Sequence, residues 1–156
     1  MARTINGLAA IRAAAGQDLG ESAWRRVTQE QVNAFADVTD DHQFIHVDPE
    51  RAKAGPFGRT IAHGFLTLSL SVSLLDEIVA FEGLDMLINY GLNKVRFPAP
   101  VPVGEEVRMK AALGEVEDVK GGVQAVVNLT YEVKGQERPS CVAELVLRLL
   151  GPEGAS

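Results

Sequence analysis

The sequence predicts an α+β fold in which an antiparallel β-sheet wraps around one long apolar helix. Three features carry this reading. Ile61, Phe65, Leu68, Val72, Leu75 and Val79 recur at spacings of four and three, which is the helical period. Leu66, Leu70, Leu74 and Ile78 between them make that helix apolar nearly all round, so the rest of the chain must enclose it. Further on, Val123, Ala125, Val127, Leu129, Tyr131 and Val133 alternate with Gln124, Val126, Asn128, Thr130 and Glu132, the period of a half-buried strand.

Before the helix, Met1 to Gly16 is Ala-rich and predicts a short surface helix, an extension over residues 1–16 to a core over 17–150. With 156 residues the chain is about the size of one domain, so the whole of 1–156 is expected to form a single unit. Gln17 to Trp24 reads as irregular chain or a short strand, and at most one or two strands are expected ahead of the helix. Thr28-Gln29-Glu30-Gln31 is a capping-box pattern, so a helix should start there, with Val32, Phe35 and Ala36 on its inner face. Its periodicity fails near Thr39. A polar loop then runs from Asp40 to about Arg59, broken by Pro49, Gly55, Pro56 and Gly58, with one helical turn expected after Asp48-Pro49. Beyond the central helix, Tyr90 to Phe97, Val107 to Leu113 and Cys141 to Leu150 are strand candidates. Gly104, Gly121-Gly122 and Gly135 lie between these runs as turn markers, which predicts an antiparallel meander.

The charge excludes some functions. Lys and Arg number 15 against 21 Asp and Glu, and a net charge of −6 repels phosphate backbones, so nucleic acid is not an expected partner. The single Cys141 can form no internal disulfide and no thiolate metal cluster, which fits a reducing cytoplasm. Arg12 interrupts the Ala-rich start and argues against a signal sequence. Thr60 to Leu75, the longest charge-free run, is shorter than the roughly 20 residues of a membrane span, so no membrane partner is expected.

One loop concentrates acids and bases. Asp40, Asp41, His42, His46 and Asp48 fall within nine positions, and two of the chain's three histidines are among them. The third, His63, precedes Gly64 at the start of the apolar helix. First-turn N–H groups have no helical acceptor and can hold a developing oxyanion, and glycine lets a ligand approach the backbone. A carboxylate and an imidazole sharing one water can move protons both ways near neutral pH, as adding water to a double bond requires. The alternative for the loop is an Asx-type turn with capping carboxylates and exposed histidines. A metal site on His42 and His46 is disfavoured, because two histidines four apart suit a metal when they share a helix face and this loop is irregular.

Phe35-Ala36-Asp37-Val38-Thr39-Asp40-Asp41-His42-Gln43-Phe44-Ile45-His46-Val47-Asp48-Pro49, followed by Gly58-Arg59-Thr60-Ile61-Ala62-His63-Gly64-Phe65, resembles the signature of MaoC-like (R)-specific enoyl-CoA hydratases, which have the hot-dog fold. Asn89 to Gly104 resembles the strand and bend after the hot-dog helix, particularly of the NodN-like subgroup. The resemblance implies reversible addition of water to trans-2-enoyl-CoA to give (R)-3-hydroxyacyl-CoA, with no cofactor and no metal. It assigns the catalytic pair, five residues apart in the family, to Asp41 and His46, and the oxyanion-binding segment to His63-Gly64 with the Gly64 N–H as donor. Which of Asp41 and His46 acts as acid and which as base stays open. The resemblance further implies an acyl-CoA substrate and a homodimer, and Lys94 and Arg96 are candidates for CoA phosphate contacts.

One departure stands out. The family commonly has Asn-Pro where this chain has Gln43-Phe44, so the loop lacks a rigid φ at that point. Two rival functions on the same fold are a thioesterase, with a carboxylate-activated water attacking the carbonyl carbon, and a non-catalytic acyl-CoA-binding subunit. The residue that closes the acyl pocket is sought among Phe57, Phe65, Leu66, Met86 and Phe97.

Overall fold

The computed structural model describes residues 1–154. The chain opens with strand β1 (Arg3–Asn6), helix α1 (Gly7–Ala13), and the short strands β2 (Asp18–Glu21) and β3 (Arg25–Arg26). Three strands thus precede the central helix, one more than the sequence predicts. The N-terminal segment is also more than a surface extension. Ile5, Leu8, Ile11 and Ala14 are buried in the main core, because their spacing gives β1 and α1 one continuous apolar side.

Helix α2 (Gln29–Thr39) begins where predicted. Thr28 Oγ1 accepts from the Gln31 N–H while the Gln31 side chain accepts from the Thr28 N–H, a complete capping box that contributes about 1 kcal/mol. It ends at Asp40, in the left-handed conformation at φ 59°, which Asp tolerates better than most residues. The following loop holds two helical turns, α3 (Phe44–Val47) and α4 (Pro49–Lys53). Asp48 caps α4 through the Arg51 N–H at 3.0 Å, as the Asp-Pro pair predicts.

The single long helix expected over 61–79 is two shorter ones, α5 (Gly64–Ser69) and α6 (Ser71–Ile78), separated at Leu70. Ile61 is extended instead, bridged opposite Pro102 by the Ala62 N–H donating to the Val101 carbonyl and the Val103 N–H to the Thr60 carbonyl, which delays the helix start to Gly64. Serine back-bonding accompanies the break. Ser69 Oγ donates to the Phe65 carbonyl at 2.6 Å and Ser73 Oγ to the Leu70 carbonyl at 3.2 Å, bonds that bend helices. Enclosure is also incomplete. Leu74 is fully buried, which by itself contributes about 1.5–3 kcal/mol, yet Phe65 is 70 % and Val72 54 % exposed along one stripe.

Strand β4 (Val79–Glu82) leaves α6 and pairs in parallel with β1. The main sheet is built by β5 (Met86–Arg96), β6 (Glu106–Val119), β7 (Gly122–Val133) and β8 (Cys141–Leu150), with β2 and β3 against β6. Its order is β2-β6-β7-β8-β5. The meander therefore covers β6 to β8 only, while β5 crosses to the far edge beside β8. Pro98, Pro100 and Pro102 lie in the crossing segment, where missing N–H groups end the ladder and turn the chain away. Met109, Leu113, Val123, Val127, Leu129 and Tyr131 face the helices from the sheet, and Tyr131 Oη donates to the Leu68 carbonyl at 3.2 Å. A smaller cluster of Val27, Val32, Ala62, Leu66, Val101 and Val107 seats α2 against α5 and so fixes the loop between them. No helix among the described residues is long and apolar enough to cross a membrane.

Candidate active site

The polar loop folds back over the start of α5. The Ile61 N–H donates to the Ile45 carbonyl at 2.9 Å, and His46 on α3 is thereby carried to within stacking distance of His63. Both imidazoles are buried, at 7 % and 3 % exposure, which excludes the alternative of a capping turn with exposed histidines for these two. Their ring centroids lie 3.9 Å apart with planes 25° from parallel.

Hydrogen-bond partners fix the tautomers. His46 Nδ1 lies 2.7 Å from the Ile61 carbonyl, which can only accept, so Nδ1 carries the hydrogen and Nε2 keeps its lone pair. His63 Nε2 lies 2.9 Å from the Asp41 backbone carbonyl and is likewise the donor there. Burial holds the His46 pKa below the ordinary imidazole value. The Ile61 carbonyl and Asp41 oppose that shift, and His63 adds to it. His46 therefore presents a free base near neutral pH.

Asp41 stands beside this pair with its carboxylate about half exposed, Oδ2 4.0 Å from His63 Nε2 and Oδ1 accepting from the Gln43 N–H at 3.4 Å. Gln43-Phe44, the departure from Asn-Pro, keeps the turn by other means. Gln43 is the N-cap of α3, and the Phe44 ring lies under the Arg51 guanidinium, 4.1 Å from its centre. Gly64 is the first residue of α5, so its N–H has no acceptor within the helix.

A cavity of about 230 Å³ is lined by Asp41, His46, His63, Gly64, Phe65 and Phe97. A second, of about 310 Å³, also opens on His46, Gly64 and Phe97 and is walled by Phe57, Ile61, Thr67, Pro98, Val101 and Ser140 among others. Of the five residues considered for closing the acyl pocket, Phe97 alone lines both cavities, while Leu66 and Met86 line neither. The structure thus brings Asp41, His46, His63 and Gly64 to one place. Lys94 and Arg96 are elsewhere: Lys94 lines a separate cleft with Asn128, Thr130 and Glu144, and the Arg96 guanidinium bonds to the Val95 carbonyl. Neither borders the two cavities within this chain. His42 pairs outward with Asp37 at 2.8 Å, and that pairing raises its pKa.

Asp41, His46 and His63 each bring a donor atom within 4.8 Å of the others. They do not fit a metal ion. In stacked rings the in-plane lone pairs run side by side instead of converging on one point. Sequence reading missed Gln29. Its side-chain amide donates to the His46 carbonyl at 2.7 Å and accepts from Thr60 Oγ1 at 2.7 Å, tying α2 to both arms of the site. Its place in the first turn of a capped helix gave no sign of this.

One cleft thus holds a neutral imidazole, a carboxylate and a backbone N–H without a helical acceptor. Comparison with known proteins identifies the class. Residues 10–135 match the MaoC-like domain, and the chain belongs to that family. It is 57 % identical over 147 residues to 3-hydroxyacyl-thioester dehydratase Z of Mycobacterium tuberculosis, covering 94 % of this chain and 97 % of the other. It is 41 % identical over 142 residues to Nodulation protein N of Rhizobium meliloti, covering 89 % and 88 %. Its fold is the hot-dog fold. The (R)-hydratase from A. caviae involved in PHA biosynthesis superimposes with a TM-score of 0.72 at 27 % identity, covering 86 % of this chain and 96 % of that one.

Proposed function

We propose that the protein is an (R)-specific hydro-lyase that interconverts a trans-2-enoyl-CoA and water with the (R)-3-hydroxyacyl-CoA. The observation that carries this reading is the free Nε2 of His46 in one cavity with Asp41 and the Gly64 N–H. The similarity to a 3-hydroxyacyl-thioester dehydratase and an (R)-hydratase supports it.

Each group has a task. The thioester carbonyl, hydrogen-bonded to the Gly64 N–H, draws electron density from the β carbon and takes on enolate character as water adds there. His46 Nε2 removes a proton from that water, held between His46 and Asp41. The nearby Asp41 carboxylate favours the imidazolium that forms, as it already raises the His46 pKa against burial. His46 then returns the proton to the α carbon, so H and OH of one water end on the two carbons and no redox cofactor takes part. A thioesterase would instead direct the water at the carbonyl carbon and return the proton to the departing CoA thiolate, so free CoA would be its product.

The test is hydration of crotonyl-CoA and a longer trans-2-enoyl-CoA, followed by loss of enoyl absorbance with chiral analysis of the product. The expected product is the (R)-3-hydroxyacyl-CoA, with kcat/KM level down to below pH 6.5, because a depressed His46 pKa leaves the base unprotonated to lower pH than an ordinary imidazole. Free CoA as product or no turnover refutes the reading, and an acid limb above pH 6.5 removes a depressed His46 as its base.

The same reading includes a homodimer. Strand β5 is a sheet edge with Met86, Leu87, Tyr90 and Leu92 exposed, and Phe65 and Val72 of the central helices stand uncovered. An exposed apolar edge is a template for pairing with another chain. Sedimentation equilibrium should give twice the 16.8 kDa of one chain, and Leu92→Lys should shift the mass towards the single chain. A monomer at micromolar concentration refutes it.

A further inference from the structure

His63 occupies the N-cap position of α5, yet its side chain caps nothing. It is spent elsewhere. One face of its ring stacks on His46, and Phe35 of α2 packs against it at a centroid distance of 4.9 Å. Its Nε2–H holds the Asp41 carbonyl. Its Nδ1 is the one buried side-chain polar atom without a hydrogen-bond partner among the described residues. Leaving a buried lone pair unpaired is unfavourable, and a phenylalanine would fill the same space without that defect. Packing alone therefore does not explain an imidazole here.

Resting on the Asp41–His46 reading, we propose that His63 is the positioning residue of the site, one buried ring that sets the His46 imidazole by stacking and the Asp41 turn by its hydrogen bond. The two contacts together fix the separation of the acid–base groups. They also place a second titratable ring against the base. The titratable groups that face His46 are Asp41 from the turn and His63 from the start of α5, while α2 brings only the neutral Gln29 to it. His63 disfavours the His46 imidazolium and Asp41 favours it.

The variants separate these contributions. His63→Phe keeps a stacking ring and drops the bond to Asp41, whereas His63→Gln keeps a donor and drops the stack. With crotonyl-CoA, His63→Phe should lower kcat by about ten- to a hundredfold with little change in KM, the upper figure being the cost of misplacing a catalytic group by about 1 Å. His63→Gln, which can still hold Asp41, should lose less. In both, the acid limb of the kcat/KM profile should move to higher pH, because the neighbouring imidazole that opposes protonation of His46 is gone. That shift separates positioning from a merely structural role, which would lower the rate without moving the limb. Thermal melts identify folded variants, and if His63→Phe does not fold, the limb of His63→Gln decides alone. An unmoved limb, or a kcat within about twofold of wild type in both variants, overturns the proposal. If instead His46→Gln itself retains wild-type rates, the underlying dyad reading fails, a result distinct from either.

Discussion

Asp41→Asn and His46→Gln are each expected to lower the rate of enoyl-CoA hydration by at least about a hundredfold, within the range of roughly 10²–10⁴ that positioned acid–base groups supply. In free energy this is about 2.7 to 5.4 kcal/mol of transition-state stabilisation, at 1.36 kcal/mol per decade. The loss should fall on kcat, since neither substitution removes a wall of the cavity. It should not be additive. Both groups act on one water, so the double variant should be about as slow as the slower single one. Stability should separate the two. Asp41 is about half exposed and its replacement should cost within about 0.5 kcal/mol, whereas His46 is buried and bonded to the Ile61 carbonyl, so its removal should cost about 1–3 kcal/mol. Initial rates with melts of each variant check this. A folded His46→Gln enzyme within tenfold of wild type would remove the imidazole from the mechanism.

That Asp41, His46 and His63 belong to one site is legible in the sequence, whereas the stacking of His63 on His46 is not. Asp41 and His46 lie five residues apart in one loop, the spacing that the family resemblance implies for the catalytic pair. The α2 start was equally local, written in Thr28 and Gln31, and the β7 strand in its strict alternation. What escaped was long-range. The side on which β5 pairs depends on β8, which lies between 46 residues (Arg96 to Val142) and 64 residues (Met86 to Leu150) away in sequence, so the sequence pattern suggests a simple meander. The break at Leu70 depends on serine hydroxyls turning back to carbonyls, a choice that apolar periodicity does not record. Lys94 and Arg96 are candidates for CoA contacts on charge alone, and charge does not say which face of an edge strand a side chain takes. The N-terminal segment reads as surface for a similar reason. Its alanines hid an apolar spacing, Ile5, Leu8 and Ile11, that only a partner surface makes meaningful.

Gly64→Pro compared with Gly64→Ala tests the remaining role, and its expected effect is the other large one. Gly64 is the first helical residue of α5, where proline removes an N–H that no helical carbonyl accepts. The preceding His63 has φ −57° and ψ 139°, the extended region that a residue before proline prefers. The helix should therefore survive the substitution while the proposed oxyanion donor disappears. Alanine is the control for bulk. Its Cβ would sit 3.2 Å from the Phe97 ring, close enough to require an adjustment, but Phe97 is 41 % exposed and has room to give way. Gly64→Ala should thus lose a modest factor, and Gly64→Pro a further 10²–10³ or so in kcat, the usual cost of one oxyanion-hole donor. Because the proline ring also occupies space where the hydrogen was, competitive inhibition by saturated butyryl-CoA separates the two causes. An inhibition constant near that of the alanine variant, with kcat collapsed, assigns the loss to the missing donor. Equal rates in the alanine and proline variants would mean that the developing charge on the thioester oxygen is held by some group other than the Gly64 N–H.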